Sequence, residues 1–144
     1  MLSKVLFSHK TDEYITPSWL IDELKKEFDF SLDACTTGDN PTAMPDFYTI
    51  KENGLNKDWE TWTYCNPPYS EIAKWAQKTH EENFIRGIGI VMLLPARTDT
   101  RWFHQFIHNK PNVEIRFLKG RLKFEGTKYP APFPNMLVIF ASHA

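Results

Sequence analysis

Hydrophobic positions along the chain change period several times, and each change predicts an element. Leu20, Leu24 and Phe28 recur at helical spacing with Ile21 beside them, so a helix is expected after Thr16-Pro17. Thr16 has the chemistry of an N-cap and Pro17 that of a first helical residue. Phe30, Leu32 and Ala34 then alternate with Ser31 and Asp33, the pattern of a short strand with an acid near its carboxyl end. Residues 47–50 form a candidate short strand, and Lys51-Glu52-Asn53-Gly54 a turn. Trp62 and Tyr64 alternate with Thr and read as the end of another strand. Over residues 71–82, Ile72, Trp75, Ala76 and Thr79 form a helical stripe. Residues 88–94 are a continuous apolar run, which predicts a strand buried on both faces. Thr98 or Asp99 would cap a helix whose buried stripe is Trp102, Phe103, Phe106 and Ile107. Val113, Ile115, Phe117, Leu122 and Phe124 alternate across Lys119-Gly120, predicting a hairpin or pair of strands. Residues 136–140 read as a last buried strand.

Helices that alternate with strands in the middle of the chain argue for an α/β fold with a parallel sheet and crossover helices. The closing hairpin is expected to add antiparallel strands at the C-terminal edge. With 144 residues, the chain reads as a single domain over 1–144 with an irregular arm over 1–13. Aromatic residues at 15% argue against a disordered chain. No apolar run reaches membrane-spanning length, and the N-terminal apolar stretch is too short for a signal peptide. Cys35 and Cys65 have neither CxxC nor zinc spacing, which points to a reduced, cytoplasmic setting.

Net charge is −1, which by itself makes no case for nucleic acid. Its distribution does: residues 1–96 carry a balance of −6 and residues 97–144 a balance of +5. One region is therefore suited to face phosphates, although lysines and arginines also commonly solvate a surface. His104 and His108 are four apart, a spacing able to hold a metal. Without an H-E-x-x-H pattern or a neighbouring acid they read as surface histidines, and no metal is expected.

The chemistry concentrates at Asn66-Pro67-Pro68-Tyr69, between a strand and a helix. Two prolines fix φ twice and donate no N–H, and each pushes the preceding residue out of the α region. The loop is thus stiff, with an amide at one end and a ring at the other. Such a loop suits a planar molecule with an exocyclic amine: the Asn66 oxygen and the Pro67 carbonyl accept its N–H bonds and Tyr69 stacks on its face. A proline-rich turn with Ser70 capping the helix explains the local pattern equally well. Asp33, also at a strand end, falls where open α/β sheets bind ligands. The segment after it lacks G-x-G-x-x-G, so no pyrophosphate cradle is present. Asp58 precedes a run of aromatics and reads on its own as a loop acid.

Taken together, these segments resemble the phage-type DNA N6-adenine methyltransferases. The resemblance rests on Asp12-Glu13-Tyr14-Ile15-Thr16-Pro17, Leu32-Asp33-Ala34, Asp58-Trp59, Cys65-Asn66-Pro67-Pro68-Tyr69-Ser70, Met92-Leu93-Leu94-Pro95-Ala96, Thr100-Arg101-Trp102-Phe103-His104, Ile115-Arg116-Phe117 with Gly120-Arg121, and Ala131-Pro132-Phe133-Pro134. It implies a Rossmann-like methyltransferase sheet, S-adenosylmethionine as methyl donor and DNA as partner, in the cytoplasm of a bacterial host. It implies that Thr16 and Pro17 lie near the donor's amino-acid end. Asp33 would take the methionine amine or a neighbouring group, and Asp58 the donor's adenine amino group. Asn66, Pro67, Pro68 and Tyr69 would hold the target adenine, flipped from a duplex, with Phe133 as a second stacking face. Arg97, Arg101, Arg121 and Lys123 are the candidates for phosphate contact. The chain departs from the family pattern in a glycine-rich motif reduced to Thr36-Thr37-Gly38. Only 32 residues lie between Asp33 and Asn66, so the second and third strands must be abbreviated. Other readings of the same loop are an amino-methyltransferase acting on RNA or on a protein glutamine, and a degenerate, non-catalytic binding module.

Overall fold

The structure, a computed structural model, describes residues 14–143. The arm expected over residues 1–13 lies outside the described residues. Helix α1 spans Ser18–Glu27, strand β1 Leu32–Asp33 and β2 Asp46–Phe47. Strand β3 (Thr63–Cys65) leads into helix α2 (Ile72–Arg86), followed by β4 (Ile90–Pro95), α3 (Arg101–Phe106), β5 (Val113–Phe117) and β6 (Asn135–Phe140). One six-stranded mixed sheet results, in the order β2-β1-β3-β4-β6-β5. The four strands β2, β1, β3 and β4 are parallel, and β6 runs antiparallel to both β4 and β5. The fold is α/β with a Rossmann-like arrangement.

The continuous apolar run becomes the centre of the sheet. Ile90, Met92 and Leu94 pack on one face with Ile72 and Trp75 of α2, Phe103 of α3 and Ile107 just after it. Val91 and Leu93 pack on the other with Leu20, Ile21 and Leu24 of α1. Every residue of β4 and β6 is buried, which is why neither shows period-two polarity in the sequence. The side on which successive strands are added reverses between β1 and β3: β2 lies to one side of the pair and β4 to the other. The crevice such a switch opens sits at the carboxyl ends of β1 and β3, beyond Asp33 and Cys65.

The expected antiparallel character is present in β6, but β6 is inserted inside the sheet and β5, parallel to β4, forms the edge. The predicted hairpin across Lys119-Gly120 does not form. Leu122 and Phe124 are buried against α1's side of the sheet from a loop, so their alternation marks extended chain with one inward face rather than a paired strand. Between β1 and β3 a single two-residue strand and a 3-10 turn at Gly54–Asn56 replace the longer connection, in line with the abbreviation expected there.

Candidate active site

A cavity of about 390 Å³ occupies the crevice. Small-molecule sites span roughly 300–1,000 Å³. Its walls come from residues 33–37 after β1, from residues 49–55, from residues 14–16 before α1, and from Asn66, Pro68 and the first turns of α2.

Asp33 pairs in register with Tyr64 on one side and Phe47 on the other, which fixes it at the cavity's base. It is 1% exposed. Its carboxylate accepts the Thr42 hydroxyl at 2.5 Å and the Cys35 N–H at 3.2 Å. Burial pushes its carboxyl up to about 7, and those two hydrogen bonds oppose the rise. Among the described residues it has no ion-pair partner. A cation entering the cavity would supply the charge this acid lacks.

Asn66 follows β3 directly. Its amide nitrogen donates to the Tyr14 carbonyl and to the Thr16 hydroxyl, the latter at 3.3 Å. The Tyr14 carbonyl can only accept, so the NH2 must face it and the amide oxygen must face away. That oxygen, Oδ1, is buried and has no hydrogen-bond partner. Buried acceptors are rarely left this way, and an unfilled one at a cavity wall is a docking point for an N–H of a ligand. Trp75, which also lines the cavity, has in its Nε1 another buried polar atom without a partner. The buried acid, the orphan acceptor and the orphan donor suit, in that order, a cation, an amine N–H and a hydrogen-bond acceptor.

Tyr69 begins the 3-10 turn Tyr69–Glu71, closed by the Glu71 N–H to the Pro68 carbonyl at 3.0 Å. Glu71, not Ser70, occupies the N-cap position of α2. The Tyr69 hydroxyl accepts the Asn135 amide at 3.1 Å, and burial raises its pKa. Its ring lies 4.7 Å from Tyr14 and 5.1 Å from Phe133, centroid to centroid, with the Arg97 guanidinium 5.8 Å from its centre. Asn135 is itself 1% exposed and also donates to the Leu94 carbonyl, so β6 holds the ring from behind.

The sequence-derived candidates are distributed unevenly. Thr16, Asp33, Asn66 and Pro68 line the cavity, and Phe133 packs on Tyr69 beside it. Pro67 is buried within the same loop. Pro17 is the N-cap of α1, whose first N–H groups, Leu20 and Ile21, point to its carbonyl. Thr16 therefore does not cap the helix, because its hydroxyl is bound to Tyr64 and Asn66. Asp58 is exposed and is not among the residues of the cavity wall. Its neighbour Trp59 turns inward, with its N–H on the buried Glu82 at 2.5 Å, and this leaves Asp58 facing solvent. Arg97, Arg101, Arg121 and Lys123 are all exposed, and among the described residues none is in an ion pair. Helix α3 is capped by Thr100, which accepts the Phe103 N–H at 3.4 Å, in place of Thr98 or Asp99. His104 and His108 pack ring to ring at 5.3 Å, and no group of three or more His, Cys, Asp or Glu among the described residues is placed to hold a metal.

Sequence reasoning missed Tyr14, Thr42, Tyr64 and Asn135 as parts of this site. A signal existed only for Asn135, a polar residue that opens an otherwise apolar run. Comparison with curated proteins gives no match. A family model described as DNA N-6-adenine-methyltransferase (Dam) matches residues 3–139, which takes in both the Asp33 wall and the Asn66 to Tyr69 loop. The fold, the strand-end acid and the amide with its open acceptor are the surroundings in which that match is found, and the chain belongs to the DNA N-6-adenine-methyltransferase (Dam) family.

Proposed function

We propose that the chain transfers a methyl group from S-adenosylmethionine to the N6 amino group of adenine at specific sites in DNA. The observation that carries this reading is Asn66 Oδ1, a buried acceptor with no partner at the wall of a ligand-sized cavity. S-adenosylmethionine, when bound, supplies an electrophilic methyl group on a sulfonium. Asp33 would take its methionine amine or a neighbouring group, and Thr16 would face its amino-acid end.

The chain's own contribution is position. An adenine amine is a weak nucleophile because its lone pair is delocalised into the ring. Asn66 Oδ1 takes one of its N–H bonds and the Pro67 carbonyl the other. Held this way, the nitrogen pyramidalises and its lone pair points away from the ring plane, toward the cavity. Tyr69, braced by Asn135, presents a face to the base, with Phe133 as the neighbouring wall. One N–C bond would form as one S–C bond breaks, with its electron pair left on sulfur, and the proton the amine gives up would pass to water. Arg97, Arg101, Arg121 and Lys123 supply positive charge outside the cavity for the phosphates that flank a flipped nucleotide.

The experiment supplies labelled S-adenosylmethionine and unmethylated DNA and looks for N6-methyladenine. Wild type is expected to form it, and Asn66→Ala to lower kcat on the order of a hundredfold or more. No product from wild type, or undiminished product from Asn66→Ala, refutes the proposal. RNA and a glutamine-containing peptide serve as competing substrates in the same assay.

A further inference from the structure

Asn66 needs its amide held in one orientation, and the groups that hold it include one whose role the loop motif does not reveal. Tyr64 lies on β3 two residues before Asn66, is 0% exposed, and places its hydroxyl 2.6 Å from Thr16 Oγ1. Thr16, 5% exposed, in turn accepts from Asn66 Nδ2 at 3.3 Å. Either hydroxyl could donate in the Tyr64–Thr16 pair. Whichever of them donates, Thr16 Oγ1 carries one hydrogen and two lone pairs, so it can bond the Tyr64 hydroxyl and still accept the Asn66 N–H. Tyr64 thereby fixes the position of Thr16 Oγ1, the acceptor toward Asn66. With the Tyr14 carbonyl taking the other N–H, both amide hydrogens are engaged and Oδ1 is the one polar atom of the amide left without a partner.

We infer that Tyr64, acting through Thr16, is a positioning residue that locks the Asn66 amide with its oxygen toward the target amine. The inference deepens the methyltransferase reading and rests on it for its catalytic consequence. Its structural content, the locked amide, stands separately. Tyr64 touches no reacting atom in this scheme. Removing its hydroxyl should lower the fraction of correctly aimed amide rather than disturb substrate or donor directly.

Two measurements test it. Hydrogen exchange of the Asn66 side-chain NH2, assigned by its disappearance in Asn66→Ala, is compared in wild type, Tyr64→Phe, Thr16→Val and Thr16→Ser. Tyr64→Phe and Thr16→Val are expected to exchange about tenfold faster or more, as for removal of one hydrogen bond, while Thr16→Ser keeps the wild-type protection. In steady-state methylation, Tyr64→Phe is expected to lower kcat about tenfold, with KM for DNA and calorimetric affinity for S-adenosylmethionine within about twofold. Unchanged NH2 exchange in both Tyr64→Phe and Thr16→Val overturns the inference. So does a loss of kcat accompanied by an equal loss of donor binding, which would mark a general structural defect. An inactive wild type would refute the methyltransferase reading alone, and the exchange comparison would still decide whether the amide is locked.

Discussion

Asp33 shows what one buried acid imposes on the protein. Its carboxyl titrates at about 7 in the folded chain against an ordinary value of 3.8, because burial outweighs its two hydrogen bonds. A raised carboxyl binds its proton more tightly when folded than when unfolded. Stability is therefore greatest below the unfolded value, falls as pH rises from about 4 to 7, and stays lowered above that. The loss is on the order of a few kcal/mol. Asp33→Asn should remove most of this slope, giving a higher unfolding midpoint than wild type at pH 8 and little difference at pH 4.5. Urea titrations at the two pH values check it, and a slope unchanged in Asp33→Asn would contradict the assignment. A cationic ligand reverses the balance: its binding should strengthen about tenfold between pH 6 and 8 and release a proton. At this scale the sequence was legible where a residue's neighbours are local, as with Asp33 at its strand end. It was not legible for Thr16, whose cap-like setting gave no hint that Tyr64 and Asn66, some fifty positions away, claim its hydroxyl.

Elements explain how the far wall of the cavity keeps its place. The 3-10 turn at Gly54–Asn56 packs so closely on the end of β1 that a Cβ on Gly54 would lie 2.2 Å from the Ala34 carbonyl oxygen. Trp59 Nε1 donates to the Gly54 carbonyl at 2.9 Å, and the Trp59 N–H is held by Glu82 of α2, which also pairs with Arg86 at 2.9 Å. Helix, loop and strand are thus joined through two buried indole and carboxylate contacts. Gly54→Ala should push the turn off β1, cost about 1–3 kcal/mol of stability and weaken binding of S-adenosylmethionine. Thermal unfolding and calorimetry would read this, and wild-type values in both would show that the wall yields freely. Helix α2 and strand β4 were readable because each carries a long, strong period. The alternating residues after Phe117 misled for a physical reason. Leu122 and Phe124 face inward as a strand's would, yet the backbone there bonds elsewhere. The Glu125 N–H goes to the Ile15 carbonyl and the Ala131 N–H to the Leu122 carbonyl, pairings set by tertiary packing rather than by sequence pattern.

For the whole molecule, charge and topology act together. The positive balance of residues 97–144 falls partly on Arg116, which is committed to Glu27 and Glu114, and partly on the exposed Arg97, Arg101, Arg121 and Lys123. Arg97 lies over Tyr69, while Arg121 and Lys123 flank Leu122 and precede Phe124, whose ring is 5.0 Å from Tyr14. Replacing Arg121 and Lys123 with Ala should weaken DNA binding uniformly across sequences and reduce the slope of log affinity against log salt by about 0.9 for each phosphate no longer neutralised. Titrations at several salt concentrations would show it, and an unaltered slope would move the DNA face elsewhere. The six-stranded sheet has a consequence for how the chain must assemble. Strand β5 precedes β6 in the chain, yet it reaches the rest of the sheet only through β6, which lies between it and β4. While the chain is being synthesised, β5 has no partner to wait against, and one hydrogen-bonding edge of β4 stays open until β6 emerges. Because β6 also brings Asn135 to the Tyr69 hydroxyl, the Tyr69 ring is braced in the same late event that closes the sheet. A partly made chain thus carries the Asn-Pro-Pro-Tyr loop but not the support that sets it.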